Sequence, residues 1–264
     1  MPSNKVRDCL NFAWKICGAN SQVGTDFGRS DLPRSLVDRV ADCAEGKIAE
    51  FGFSVFAESI AKMPFKVCLD IYPDKHTIDY GQDIDGVNLY SELRCCRSRI
   101  DVKATRNYSQ WLLIERHKFW ADAYILVRAC LPRDLEINME KLKEIAGQDI
   151  KTEVMGFAYH FDLIDQVSKE PWFHFKKGDR LFTTDCLKDG ISYPSPKELK
   201  KAIVGSIDNG GVKLIGAELK SAENFGYPVC LLRNSKAEWE SFFEWIRFSS
   251  IKTNHPIDKR ETMC

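Results

Sequence analysis

Apolar residues recur at helical spacing early in the chain. Val37, Val40, Ala44, Ile48, Phe51 and Val55 fall three or four positions apart, the period of a helix with one buried face. Ser30 or Asp31 is placed to cap that helix, Pro33 suits its first turn, and Pro64 ends it. A shorter amphipathic piece, CLNFAWKIC (9–17), precedes it. Beyond Pro64 the pattern changes to strand-like runs: FKVCLDIY (65–72), DGVNLY (85–90), RIDVKAT (99–105) and ADAYILVRACL (121–131). The last has an almost unbroken apolar centre, which suits an interior strand. SELRCCRS (91–98) reads as a basic link, and NYSQWLLIERHKFW (107–120) fits either a helix or a strand followed by a loop.

In the second half, PRDLEINMEKLKEIAG predicts a turn and a helix, while KTEVMGFAYHF and WFHFKKGDRLFTT predict strands. YPSP precedes a short lysine-rich helix, NGG (209–211) marks a tight turn, and SKAEWESFFEWIRF (235–248) predicts a helix with an aromatic face. Trp239, Phe242, Phe243 and Ile246 on that face are expected in the core rather than on a base-stacking platform. With no internal repeat and no clean linker, the α/β pattern predicts one compact unit. Residues 1–130 would form its core and 131–264 a C-terminal extension of it.

Composition narrows the class. The 264 residues are 44% hydrophobic and 29% charged, as in globular proteins, and no apolar run approaches the roughly eighteen residues that span a bilayer. MPSNKVRDCLNFAWK lacks the basic-then-apolar pattern of a secretory signal, so a cytoplasmic location without membrane association is expected. Ten cysteines are scattered without CxxC spacing, which predicts reduced thiols rather than a zinc site. Thirty-eight basic residues balance thirty-eight acidic ones. A nucleic-acid partner must therefore be argued from local patches, not from net charge.

The chemistry turns on an acidic-x-Lys pattern that occurs five times, at 45–47, 101–103, 149–151, 198–200 and 218–220. Only Asp101-Val102-Lys103 lies in a β-branched strand with an acidic strand start, Asp85, upstream. Alternation places Asp101 and Lys103 on one face with Val102 turned into the core. If DGVNLY and RIDVKAT pair as a hairpin, Asp85 approaches Asp101. Two carboxylates and the Val102 carbonyl are hard oxygen donors suited to Mg²⁺, and a neighbouring lysine can orient a water or stabilise charge on a phosphate. Glu50, beside Gly46, Phe53 and Ala57 on the long helix, is an acid that is costly to bury unless it is paired or ligates something. Glu45 and Glu58 are its rivals. Arg94, Arg97, Arg99 and Arg106 bracket the strand, and Arg116, His117 and Lys118 follow. That basic rim fits either a phosphate backbone or a solvated hairpin tip. His160 and His174 are expected to be structural or surface residues.

Taken together, GKIAEFGF with Glu50, DIDGVNLY with Asp85, RIDVKAT and AYILVRA resemble the PD-(D/E)xK nuclease superfamily over residues 34–130. Ile84 stands where the named motif has proline, and Asp79 and Asp83 compete with Asp85 for the first-aspartate role. The resemblance implies a restriction-endonuclease-like αβββαβ core, a central mixed sheet flanked by helices. Asp85, Asp101 and Lys103 would be its metal-and-water triad and Glu50 its helical acid. It further implies Mg²⁺-dependent hydrolysis of DNA phosphodiesters, with Mn²⁺ as a substitute ion, in a restriction-type or phage/defence endonuclease. Asp85, Asp101, Glu50 and the Val102 carbonyl would hold the metal, and Arg97, Arg99, Arg106 and Lys118 would contact double-stranded DNA. The C-terminal half is left for substrate recognition or for the contacts of a homodimer. Two alternatives stay open: an inactive DNA-binding or assembly protein with this fold, and a structure-specific or RNA nuclease.

Overall fold

A computed structural model describes residues 1–17, 36–67, 69, 84–89, 92–105, 109–129, 144–188, 191–219 and 223–252; of Asp85, Ile251 and Lys252 it describes the backbone. Helix α1 (Ser3–Cys17) buries Val6, Cys9, Leu10, Ala13, Ile16 and Cys17, the three-and-four spacing of one apolar face. Helix α2 (Leu36–Ala61) has two buried seams rather than one. Val40, Ala44 and Ile48 pack with α1, whereas Ala49, Phe53 and Ala57 pack against strands. The predicted stripe follows the first seam and then leaves it: Val55 is 50% exposed. The proposed caps, Ser30 and Asp31, lie outside the described residues. The helix ends on Lys62 in the left-handed region, φ 55°. The Lys62 and Met63 amides donate back to the Glu58 and Ala57 carbonyls at 3.1 and 3.4 Å, a Schellman end in which glycine is the usual residue.

The strands are β1 (Phe65–Val67), β2 (Ile84–Leu89), β3 (Glu92–Cys96), β4 (Ile100–Thr105), β5 (Trp111–Glu115), β6 (Ala123–Ala129), β7 (Thr152–Tyr159), β8 (Phe173–Phe175), β9 (Arg180–Thr184), β10 (Val212–Glu218), β11 (Asn224–Pro228) and β12 (Ser250–Lys252). Two further helices are α3 (Pro196–Asp208) and α4 (Lys236–Ser249). The fold is mixed α/β, and no helix among the described residues is long and apolar enough to cross a membrane.

Two sheets frame the first core. One is antiparallel in the order β1-β2-β3-β12; in the other, β4 runs parallel to β6 and β6 antiparallel to β7. As predicted, β6 is interior, and Arg128 is its one residue that is not buried. Phe53 of α2 and Trp239, Phe242, Phe243 and Ile246 of α4 cover one face. The aromatic helix therefore serves as core. Ser235 and Glu238 form the capping box that starts it. On the opposite face of β4-β6-β7, Leu112 and Ile114 of β5 meet Tyr124, Leu126 and Ala158. Beyond them, Trp111, Phe173 and Phe175 pack with Leu199 and Ile203 of α3.

Glycine permits two close approaches. A Cβ at Gly52 would stand 2.8 Å from the Thr152 side chain, where α2 meets β7. At Gly156, with φ 146°, a Cβ would stand 2.7 Å from the Arg233 carbonyl; there the Phe157 and Arg233 amides exchange hydrogen bonds of 2.9 and 2.8 Å.

One sequence expectation changes and two are resolved. The supposed link SELRCCRS contains strand β3, because Cys95 and Cys96 are buried in it. The ambiguous 107–120 segment holds a strand, β5, followed by a 3₁₀ turn at Arg116–Lys118. NGG makes the expected tight turn, at the end of α3, with Asn209 as C-cap and Gly210 at φ 69° before β10 begins.

Candidate functional site

Strand β4 brings Asp101 and Lys103 together. Being two residues apart, they share a face, and the Lys103 Nζ lies 2.6 Å from Asp101 Oδ2. Val102 points the other way, into the core that contains Phe53 and Ile125. Asp101 is 5% exposed, so its charge is compensated chiefly by the lysine. Removing one partner of such a pair leaves a buried charge without its counterion. In the parallel register Asp101 stands beside Tyr124. The Tyr124 hydroxyl accepts from the Ala121 amide at 3.0 Å and donates to the Lys118 carbonyl at 3.4 Å. Burial pushes the Tyr124 phenol well above its ordinary pKa, with the negative charge of Asp101 adding to it.

The start of β4 leads to the surface. The Arg99 amide donates to the Asp122 carboxylate at 2.7 Å, and the Asp122 amide returns a 2.8 Å bond to the Arg99 carbonyl. The Arg99 guanidinium lies 5.4 Å from the centre of the Trp120 ring, within cation–π range. Arg97 and Arg99 are exposed, Lys118 pairs with Glu115 at 3.6 Å, and Arg106 lies outside the described residues. Among the described residues, Arg97 and Arg99 stand at the entrance to β4.

Glu50 is buried too, at 6% exposure, but its described partner is Lys47, 2.8 Å away. That ammonium stands 5.5 Å from the centre of the Phe12 ring on α1. The pair therefore borders the α1–α2 seam. Burial pushes the nearby Cys9 thiol up to about 12, with the Glu50 charge as the next cause.

The predicted pairing of DGVNLY with RIDVKAT is corrected: β2 pairs with β3. Gly86 faces Cys95 in that antiparallel register, so Asp85 stands beside Cys96, five residues before Asp101. The chain bends at Ser98 on the way, so those five residues set an upper limit of about 16 Å on that separation. The Asp85 side chain, together with Asp79 and Asp83, lies outside the described residues.

The rival acid-x-Lys copies have structural partners. Asp149 accepts from the Ser3 amide at 2.8 Å at the start of α1, and Glu198 pairs with Lys201 at 3.0 Å near the start of α3. His160 stacks on Phe119, with ring centres 4.5 Å apart, and His174 lies 3.6 Å from Glu223. No disulfide joins any two of the seven described cysteines. Tyr124, Asp122 and Trp120 went unnoticed in the sequence; the one available signal was a tyrosine inside an otherwise apolar interior strand.

The donor chemistry around Asp101, carboxylate and backbone carbonyl, suits a hard divalent cation. Among the described residues, however, no three His, Cys, Asp or Glu side chains cluster closely enough to hold a metal ion. A complete shell would need a carboxylate from outside that set. No protein-family model, curated protein or solved structure matches the chain.

Proposed function

We propose that the protein is a Mg²⁺-dependent DNA endonuclease with a restriction-endonuclease-like core. The observation that carries this reading is the buried Asp101 carboxylate held by Lys103 on β4, two residues from the exposed Arg99. The element order α2, β1, β2, β3, β4, β6 follows the expected one, while β1–β3 and β4–β6 lie in separate sheets and β5 with a 3₁₀ turn stands in place of the crossover helix. Asp101 and the Val102 carbonyl, with Asp85 as the second carboxylate, are the oxygens that would hold Mg²⁺, which when bound neutralises charge on the scissile phosphate; Glu50, paired with Lys47 against α1, is not among them. Lys103 orients the attacking water and offsets negative charge as it builds on phosphorus. Arg99 and Arg97 position the backbone at the strand entrance.

The test is digestion of a supercoiled plasmid with Mg²⁺ and with EDTA, using wild type, Asp101→Ala and Lys103→Ala. Metal-dependent cleavage lost in both variants supports the assignment; equal cleavage in all three rejects the site. A second reading, a DNA-binding protein without activity, is favoured by one observation. Both lysine–carboxylate pairs are already charge-compensated without a cation. It predicts DNA binding with no cleavage by wild type in Mg²⁺ or Mn²⁺.

A further inference from the structure

The sheet end from which β4 and β6 start carries aromatic rings that the core does not use. Across the three strands Ile100, Ala123 and Tyr159 stand side by side. Phe161, two residues on, stacks on Tyr159 with ring centres 5.2 Å apart and planes 14° apart, yet is 56% exposed. Tyr159 is braced in turn. Trp245 of α4 meets it edge-on at 5.3 Å, and the Arg233 guanidinium lies 5.5 Å from its ring centre. Asp162 holds that guanidinium with two hydrogen bonds of 2.9 and 2.8 Å. One turn beyond Trp245, on the same helix face, Phe248 is 85% exposed. The end of α4 is tied to the start of β4 by a 2.9 Å hydrogen bond between the Ser98 and Ser249 hydroxyls. This places Phe248 next to the segment that carries Arg97 and Arg99.

We infer that this edge is a stacking platform for unpaired DNA bases, on which Phe161 and Phe248 take successive bases while Arg97 and Arg99 take the intervening phosphates. The inference rests on the nuclease reading of Asp101 for its choice of DNA, and it sharpens the expected duplex substrate to one with a single-stranded stretch. Aromatic faces beside cations match a polyanion with exposed π-surfaces, and a closed duplex keeps those surfaces hidden. The acids nearby are already engaged: Asp162 by Arg233, Asp122 by the Arg99 amide and Glu244 by Arg247. Arg97 and Arg99 outnumber Asp122, the one of these acids not paired with an arginine.

The experiment is fluorescence anisotropy in EDTA, which removes cleavage from the readout. It uses a labelled 20-nucleotide dT strand, the blunt dA·dT duplex and the matching rU strand. Wild type should bind the dT strand more tightly than the duplex or the RNA. Phe161→Ala should weaken dT binding by about 5- to 100-fold, the range of one lost base stack, with an unchanged melting temperature, and Phe161→Trp should restore it. Phe248→Ala should act in the same direction. Unchanged dT binding in both alanine variants, or preference for the blunt duplex or the RNA, overturns the platform. So does self-association of wild type that either alanine variant abolishes, since the rings would then serve a second copy of the chain. Asp101→Asn should still bind the dT strand. Binding that depends on Phe161 in a wild type that cleaves nothing in Mg²⁺ supports the platform and rejects the nuclease reading alone.

Discussion

Two lysine–carboxylate pairs in this protein look alike and sit in different worlds. Lys47–Glu50 on α2 closes at 2.8 Å and Asp101–Lys103 on β4 at 2.6 Å; the carboxylates are 6% and 7% exposed and the lysines 18% and 20%. The helical pair is bordered by Phe12 and the Cys9 thiol along a helix–helix seam. The strand pair lies on an edge strand of its sheet, beside Tyr124 and two residues from an exposed arginine. Proximity of lysine and acid therefore does not separate a structural pair from a chemical one. What differs is the setting: only the strand pair lies on a sheet-edge strand two residues from an exposed arginine, where the proposed reading brings a polyanion.

That contrast can be broken by mutation. Asp101→Asn should lower Mg²⁺-dependent plasmid cleavage by about 10²- to 10³-fold, the usual effect of removing one charge-stabilising group; Glu50→Gln should lower it far less. Equal losses in the two variants would erase the distinction and bring Glu50 into the site. Stability should not separate the two, because both pairs are equally buried. Glu50→Gln leaves Lys47 in the seam without its counter-charge and should cost about 2–3 kcal/mol in urea unfolding, less than a fully buried pair because Lys47 retains some exposure.

Two buried thiols, Cys9 in the seam and Cys96 on β3, give a pH signature. Cys9 and Cys96 are both held up to about 12 by burial, whereas an unfolded thiol ionises near pH 8.5. Above that pH the unfolded chain releases thiol protons that the native chain retains. The stabilisation is complete below about pH 8.5 and fades as pH rises toward 12. Urea midpoints should fall across that interval, with Cys9→Ser flattening part of the slope. Native-state alkylation followed by peptide mass should show Cys9 reacting about 2- to 5-fold faster in Glu50→Gln and unchanged in Asp101→Asn, because the Glu50 charge opposes the thiolate. The smallest effect sits at the end of the same helix. Lys62→Gly relieves a left-handed lysine and should add about 1 kcal/mol without touching either pair.

Much of the architecture was legible in the letters, for physical reasons. The apolar run AYILV could only be an interior strand or buried helix, and its β-branched residues decided for β6. Pro64 stopped α2 close to the expected place, and Ser235 with Glu238 announced α4. What misled was charge. ELRCC carries one glutamate and one arginine, so its alternation looked like a solvated link. The burial of Cys95 and Cys96 against distant strands is invisible in a local window, and with it went the partner of β2. The long helix misled differently: its two seams diverge by a fraction of a turn, and a single stripe of i and i+4 steps drifted off the second one at Val55. At the site, same-face alternation gave Asp101 and Lys103 correctly. The partner of Glu50 three residues back was weighed as the plain alternative to metal ligation, and Lys47 occupies that place in the structure.

The sheet that begins with β1 is completed by β12, the last described strand, which pairs with β3, and the core beneath it is filled by α4. A ribosome adds about 5–20 residues per second, so on the order of ten seconds separate the emergence of β3 from that of its final neighbour. Through that interval the nascent chain presents an open strand edge and the apolar faces of Phe53 and Ile125 with nothing yet made to cover them. The protein's hazard is therefore one of timing. Slowing synthesis or stopping it short of α4 should produce aggregate or chaperone-bound chain, not a smaller working core.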